Sequence, residues 1–288
     1  MATLLGNVLI DGISYGMVLF VIAVGLGITL GLMRFINLAH GAFAMLGGYL
    51  AAWLVRDAGV GFALGVALAV LATSAFGAVA EATVLRRLYG RSDLEQVLFT
   101  IGLTFFLVAT VNLFFGPQVQ LLPLPETLSR PVDLGWRTLP AQRLLVIGTG
   151  VAVALAGGWM VARTRFGVWL RAAVDNADTA ASLGIPIRTV QCATFAVGCG
   201  LAALGAVLGA ELMPLEPYYA LKYLVLVLVV VAVGGMGSIV GALAAALLLG
   251  TVETASKYFA SEFGSVFFYA AMAVLLAWRP AGLLRPRS

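Results

Sequence analysis

Charge is scarce in this 288-residue chain. Only 10% of its residues are charged, against about 25% in soluble domains, while 62% are hydrophobic and the mean hydropathy is +1.05. A soluble globular domain is excluded; apolar runs reaching the ~20 residues that cross about 30 Å of hydrocarbon indicate a polytopic membrane protein. Cysteine is nearly absent: Cys192 and Cys199 lie seven apart in an apolar segment without CxxC spacing, and read as buried small residues, not as a metal site or disulfide. Histidine occurs once, at His40, so an intramembrane enzyme built on it would lack a second histidine or a paired acid. No lysine follows the glycine-rich stretch 233–248, so GxxxxGK[ST] is unmet and no ATP site is expected in this chain. Residues 1–32 lack a basic n-region and a small-residue cleavage site, and read as a first span. The net charge of +4 does not argue for nucleic acid, because the arginines cluster at the ends of apolar runs, where they signal topology.

What is present is a series of apolar runs, at about 4–32, 39–55, 61–84, 97–115, 144–162, 190–210, 221–233, 239–252 and 266–278. These predict an all-α polytopic protein of about nine transmembrane helices, eight to ten, in a single permease-like domain over 1–288 with no linker. Arginines at 86, 87 and 91, at 163–188 and at 279, 285 and 287 place three segments on the cytoplasmic side, which puts the N-terminus outside. The runs flanking Gly234 are short and could be broken or re-entrant pieces. Residues 116–142 carry Pro117, Pro123, Pro125, Pro131 and Pro140 and read as an ordered external loop.

Two glycine-rich breaks stand out. In the first, residues 33–49, Asn37 and His40 suit hydrogen bonds to backbone groups freed where two helices meet, and Gly41 lets another backbone approach. In the second, Gly234, Gly235, Gly237 and Gly241 suit an interrupted helix with amides facing a polar solute, close packing, or both. Small-xxx-small pairs also occur at Gly27/Gly31, Gly61/Gly65 and Gly205/Gly209. Of the membrane acids, Glu81 lies close to Arg86 and Arg87 and reads as interfacial, while Asp11 and Glu253 remain pathway candidates.

The one long polar interval is 163–189. Arg171 and Asp175 are spaced to pair on a helix, Asp175 is placed to cap a second helix, and Gly184 with Pro186 would stop it. Ala172, Ala173, Ala177, Ala180 and Ala181 between them predict a smooth docking face on the cytoplasmic side.

NLAHGAFAMLGGY, EATVLRRLYGRSDLEQVLFTIGL, TRFGVWLRAAVDNADTAASLGI and GGMGSIVGALAAALLLGTVE, in that order, resemble the LivH-type permease subunit of bacterial branched-chain amino acid ABC importers. The resemblance runs from about residue 12 to 280, and the NxAHG motif favours this subunit over its LivM-type partner. It implies a membrane path shared with a second, LivM-like permease in the bacterial inner membrane, two ABC ATPase subunits that bind the ATP, and an external solute-binding protein. It also implies that Gly167, Arg171, Ala172, Asp175, Ala180 and Gly184 form a coupling element docked on the ATPase, and that the external loop meets the binding protein. The chain itself needs no cofactor. Amino acids, urea and short amides all fit the scarcity of membrane charge, and an ion-coupled secondary transporter using Asp11 or Glu253 with His40 is the alternative of a different class.

Overall fold

The computed structural model describes residues 2–33, 35–133, 135, 137–260, 262, 264–279 and 282–283. Arg285, Arg287 and Pro280 lie outside them. The nine apolar runs become nine helices: α1 (Ala2–Met33), α2 (His40–Arg56), α3 (Phe62–Thr83), α4 (Asp93–Phe115), α6 (Ala141–Arg163), α9 (Ile187–Leu208), α10 (Tyr219–Gly234), α11 (Ile239–Phe259) and α12 (Gly264–Trp278). Between them lie a single-turn α5 (Glu126–Ser129) and the polar pair α7 (Arg165–Asp175) and α8 (Ala177–Ser182). Six helices, α1, α3, α4, α6, α9 and α11, are long and apolar enough to cross a membrane; α2, α10 and α12 have 17, 16 and 15 residues. The chain is a multi-pass membrane protein.

Several boundaries differ from the sequence reading, α4 beginning four residues early at Asp93 behind the Ser92 cap. The run expected to end at 252 continues as α11 to Phe259, because Lys257 Nζ lies 2.7 Å from Glu253 Oε1 one turn away and offsets the charge that seemed to end it. The loop after α4 runs from Gly116 to Pro140, so Gln142 already belongs to α6, and it contains a small ribbon, β1 (Pro131–Asp133) paired antiparallel with β2 (Thr138–Pro140).

Helix α1 is the axis of the bundle, apolar all round and buried on nearly every side against α9, α11, α10 and α6. Small residues set its crossings. A Cβ at Gly25 would lie 2.8 Å from Gly198 Cα of α9, and one at Gly250 of α11 would lie 2.6 Å from Gly16 Cα. Backbone thus meets backbone, the approach that drives helix association where hydrocarbon gives no hydrophobic advantage. Gly205 and Gly209 pack on Ile22 and Val18 as their spacing suggested, whereas Gly61 precedes α3 and faces open space.

The bundle has two unlike ends. At the loop end, the ribbon is tied to the start of α1: Asp11 takes Arg137 (3.0 Å), Arg143 and the Tyr258 hydroxyl (2.6 Å). At the opposite, arginine end stand Arg86, Arg87, Arg91, Arg163, Arg165, Arg171, Arg188 and Arg279. There Glu81, fully buried, holds Arg86 (2.7 Å) and the Tyr89 hydroxyl (3.0 Å), fixing the 3-10 turn Leu85–Leu88 under α3.

Candidate functional site

The polar interval folds as an elbow on the end of α6. Thr164 caps α7 by accepting from the Gly167 amide at 3.1 Å, and its hydroxyl donates back to the Met160 carbonyl at 2.6 Å. Gly167 is buried on the carbonyls of Met160 and Val161, where no Cβ fits. Arg171 does not pair with Asp175. Its guanidinium reaches back to the Val161 carbonyl, one of the last four of α6, which lack helical partners. Asp175 is the exposed last residue of α7, and the cap of α8 is Asn176, whose side chain accepts from the Thr179 amide at 2.9 Å. An amide oxygen serves here as well as a carboxylate, so the cap fell one residue later than expected.

The alanines divide between two faces. Ala173 and Ala180 are buried against the body of the protein, Ala172 is half-buried, and Ala177 and Ala181 are exposed. The outward surface of the elbow is therefore mixed: Val168, Trp169, Val174, Asp175, Asp178 and Leu183, with two of the alanines. Gly184 (φ 85°) closes α8, and Pro186 leads directly into α9.

The first glycine-rich break is a non-helical stretch, 35–39, between α1 and α2. Its backbone is served by a polar ladder on α4. The Ile36 amide donates to Gln96 Oε1 (3.1 Å), the Leu38 amide to Thr100 Oγ1 (3.2 Å), and the Thr104 hydroxyl to the Leu38 carbonyl (3.2 Å). Irregular backbone at membrane depth needs such internal partners. Sequence reasoning passed over these three residues, although polar side chains at i, i+4 and i+8 on one face of an apolar helix were a readable signal. Asn37 is buried, its Oδ1 accepting from the Ala39 amide (3.0 Å) while its Nδ2 has no partner among the described residues. Buried His40 donates from Nε2 to the Ile22 carbonyl of α1 at 2.9 Å, and Gly41 abuts the Ala220 carbonyl of α10.

The second break is a tight turn between α10 and α11, with Gly235 at φ 93° and Gly237 at φ 79°. Gly234 and Gly241 meet backbone to backbone. The Gly237 amide donates to the Gly27 carbonyl of α1 (3.1 Å), and Ser238 caps α11 through the Gly241 amide (3.0 Å). Several amides of this turn are thus held by the protein itself. The two other acids singled out are also counter-charged, Asp11 by two arginines and Glu253 by Lys257.

Residues 8–276 match the family model described as branched-chain amino acid transport system, permease component. The chain belongs to that permease family. It is 27% identical to the high-affinity branched-chain amino acid transport system permease protein BraD of Pseudomonas aeruginosa, over 96% of this chain and 94% of that one. It is 28% identical to the permease protein LivH of Escherichia coli K12, over 95% and 93%. The E. coli permease protein LivM is 25% identical, but only 69% of its length is covered. This permease is of the LivH type. No solved structure matches it.

Proposed function

We propose that this permease is one membrane half of an ATP-driven importer of branched-chain amino acids in the bacterial cytoplasmic membrane. The observation that carries the reading is the family match along nearly the whole chain together with near-complete coverage of LivH and BraD. The other half is a LivM-like permease, two ABC ATPases bind and hydrolyse ATP, and a solute-binding protein delivers the substrate. All nine apolar helices cross, with the arginine end in the cytoplasm by the positive-inside bias and the loop 116–140 outside to receive the binding protein.

In this reading α7 and α8 are the coupling element, docked on an ATPase. Support comes from how the elbow is hung. Arg171 and Gly167 fix α7 to the end of α6, and α8 passes through Gly184 and Pro186 into α9. A push on the elbow therefore tilts α6 and α9 together, and α9 packs on α1, α2 and α3 at the bundle centre. Nucleotide-driven closure of the ATPases is converted into rocking of the spans.

The test is reconstitution of the permease with its genomic neighbours in proteoliposomes. ATP-dependent uptake of labelled leucine, isoleucine or valine that requires the binding protein is expected. Uptake by this chain alone under a proton or sodium gradient, or import of urea or acetamide only, overturns the reading.

A further inference from the structure

At the loop end lies an open cleft of about 560 Å³, within the usual ~300–1,000 Å³ of small-molecule sites. Its apolar lining includes Leu122 and Leu124 of the loop and Pro214 before α10. Its polar lining comprises Gln120 of the loop and three side chains from helix ends: Arg56 at the close of α2, Gln142 at the start of α6, and Glu211 after α9.

The charges do not balance. Arg56 is neutralised by Asp57, through Nε to Oδ1 (3.1 Å) and Nη2 to Oδ2 (2.9 Å), and is steadied by Gln120 Oε1 at 2.6 Å from Nη1. That pairing holds the Asp57 carboxyl below its ordinary range, so it is ionised at neutral pH. Each terminal nitrogen of Arg56 keeps one N–H to offer. Glu211 has no basic partner among the described residues. Its carboxylate lies against the Gln142 amide, which donates to both oxygens, 2.9 Å to Oε1, when its nitrogen is turned toward Glu211, and to the Leu208 carbonyl at 3.4 Å when it is turned away. Gln142 is 4% exposed, so a buried side chain aims an unneutralised carboxylate at the cleft. The cleft thus presents one net negative charge, a guanidinium edge and a leucine wall.

We propose that this cleft is an outer receiving site for a zwitterionic α-amino acid with an aliphatic side chain. Glu211 takes the ammonium, the spare N–H groups of Arg56 take the carboxylate, and Leu122 and Leu124 cover the side chain. A fatty acid of the same shape lacks the ammonium and is repelled by Glu211. Urea offers no charge to either group. The assignment of amino acids as the cargo rests on the function proposed above.

The test is equilibrium binding of radiolabelled leucine to the full chain, co-purified with its partner permease in nanodiscs, without ATPase or binding protein. Saturable binding is expected, with leucinamide competing and 4-methylpentanoate not. Glu211→Gln weakens it at least about tenfold, because an ammonium loses its charge-assisted bond. Leu122→Trp, which fills the cleft without touching a charge, weakens it similarly, and Glu126→Gln on the same loop leaves it unchanged. Thermal unfolding of each variant checks its fold. Absence of saturable binding to the wild type, or binding unchanged in Glu211→Gln and Leu122→Trp, overturns the site. Leucine import by the complete assembly is measured in parallel. Import with unchanged variant binding sinks the cleft and leaves the transport reading standing, whereas Glu211-dependent binding without leucine import sinks the transport reading alone.

Discussion

A guanidinium at a helix end is worth most where the last carbonyls have no other donor, and Arg171 meets Val161 there. Replacing it by glutamate sets a negative charge against the negative end of α6. We expect Arg171→Glu to cut ATP-driven uptake by more than about tenfold while membrane insertion survives, and Arg171→Lys to retain part of it. Unchanged uptake by the glutamate variant in proteoliposomes would remove the elbow from the mechanism. Glu81 is the other residue on which the arginine end depends. Its carboxylate is fully buried while its partner Arg86 is partly exposed, so Glu81→Gln is expected to cost about 2 kcal/mol, short of a fully enclosed pair. A lowered thermal midpoint in detergent checks it.

At the scale of elements, the spans were legible because a membrane helix must satisfy its backbone internally, and so announces itself as a long apolar run. The two glycine-rich breaks were legible for the complementary reason, that runs of glycine do not propagate helix. What could not be read was pairing across elements. Arg171 and Asp175 have ideal spacing on one helix, yet the nearest bare carbonyl belonged to another, and a one-dimensional pattern does not contain it. For the same reason the cleft stayed hidden: Arg56, Gln142 and Glu211 are 86 and 69 positions apart in succession and meet only in the fold. The ladder of Gln96, Thr100 and Thr104 lay between these cases, visible as a stripe but silent about its partner. Thr100→Val leaves the partly buried Leu38 amide without its acceptor, at a cost of about 1 kcal/mol, whereas Thr100→Ser keeps the hydroxyl. Hydrogen exchange at 35–39 should rise in the first variant and not in the second.

For the whole molecule, the nine crossings proposed above make an odd number, which would set the start of α1 and the end of α12 on opposite sides. With Cys192 and Cys199 replaced, a single cysteine at Asp178 should react with a membrane-impermeant maleimide only in inverted vesicles, and one at Glu126 only in intact cells. Labelling of both from the same side excludes the topology. Packing at this scale turns on a few backbone crossings. Gly25→Leu should drive α1 from α9 and abolish stable expression, since the side chain has no space to enter beside Gly198.

The central position of α1 has a consequence for how the protein is made. Helix α1 leaves the ribosome well before its chief companions, α9 and α11, which begin only at Ile187 and Ile239. Until then the faces of α1 that receive Gly198 and Gly250 lack their helix partners, although α6 can already pack beside it. The contacts that close the bundle around α1 are therefore made late, by α9 and α11. A ribosome that stalls before α9 leaves inserted spans without the helix on which α1, α2 and α3 all pack.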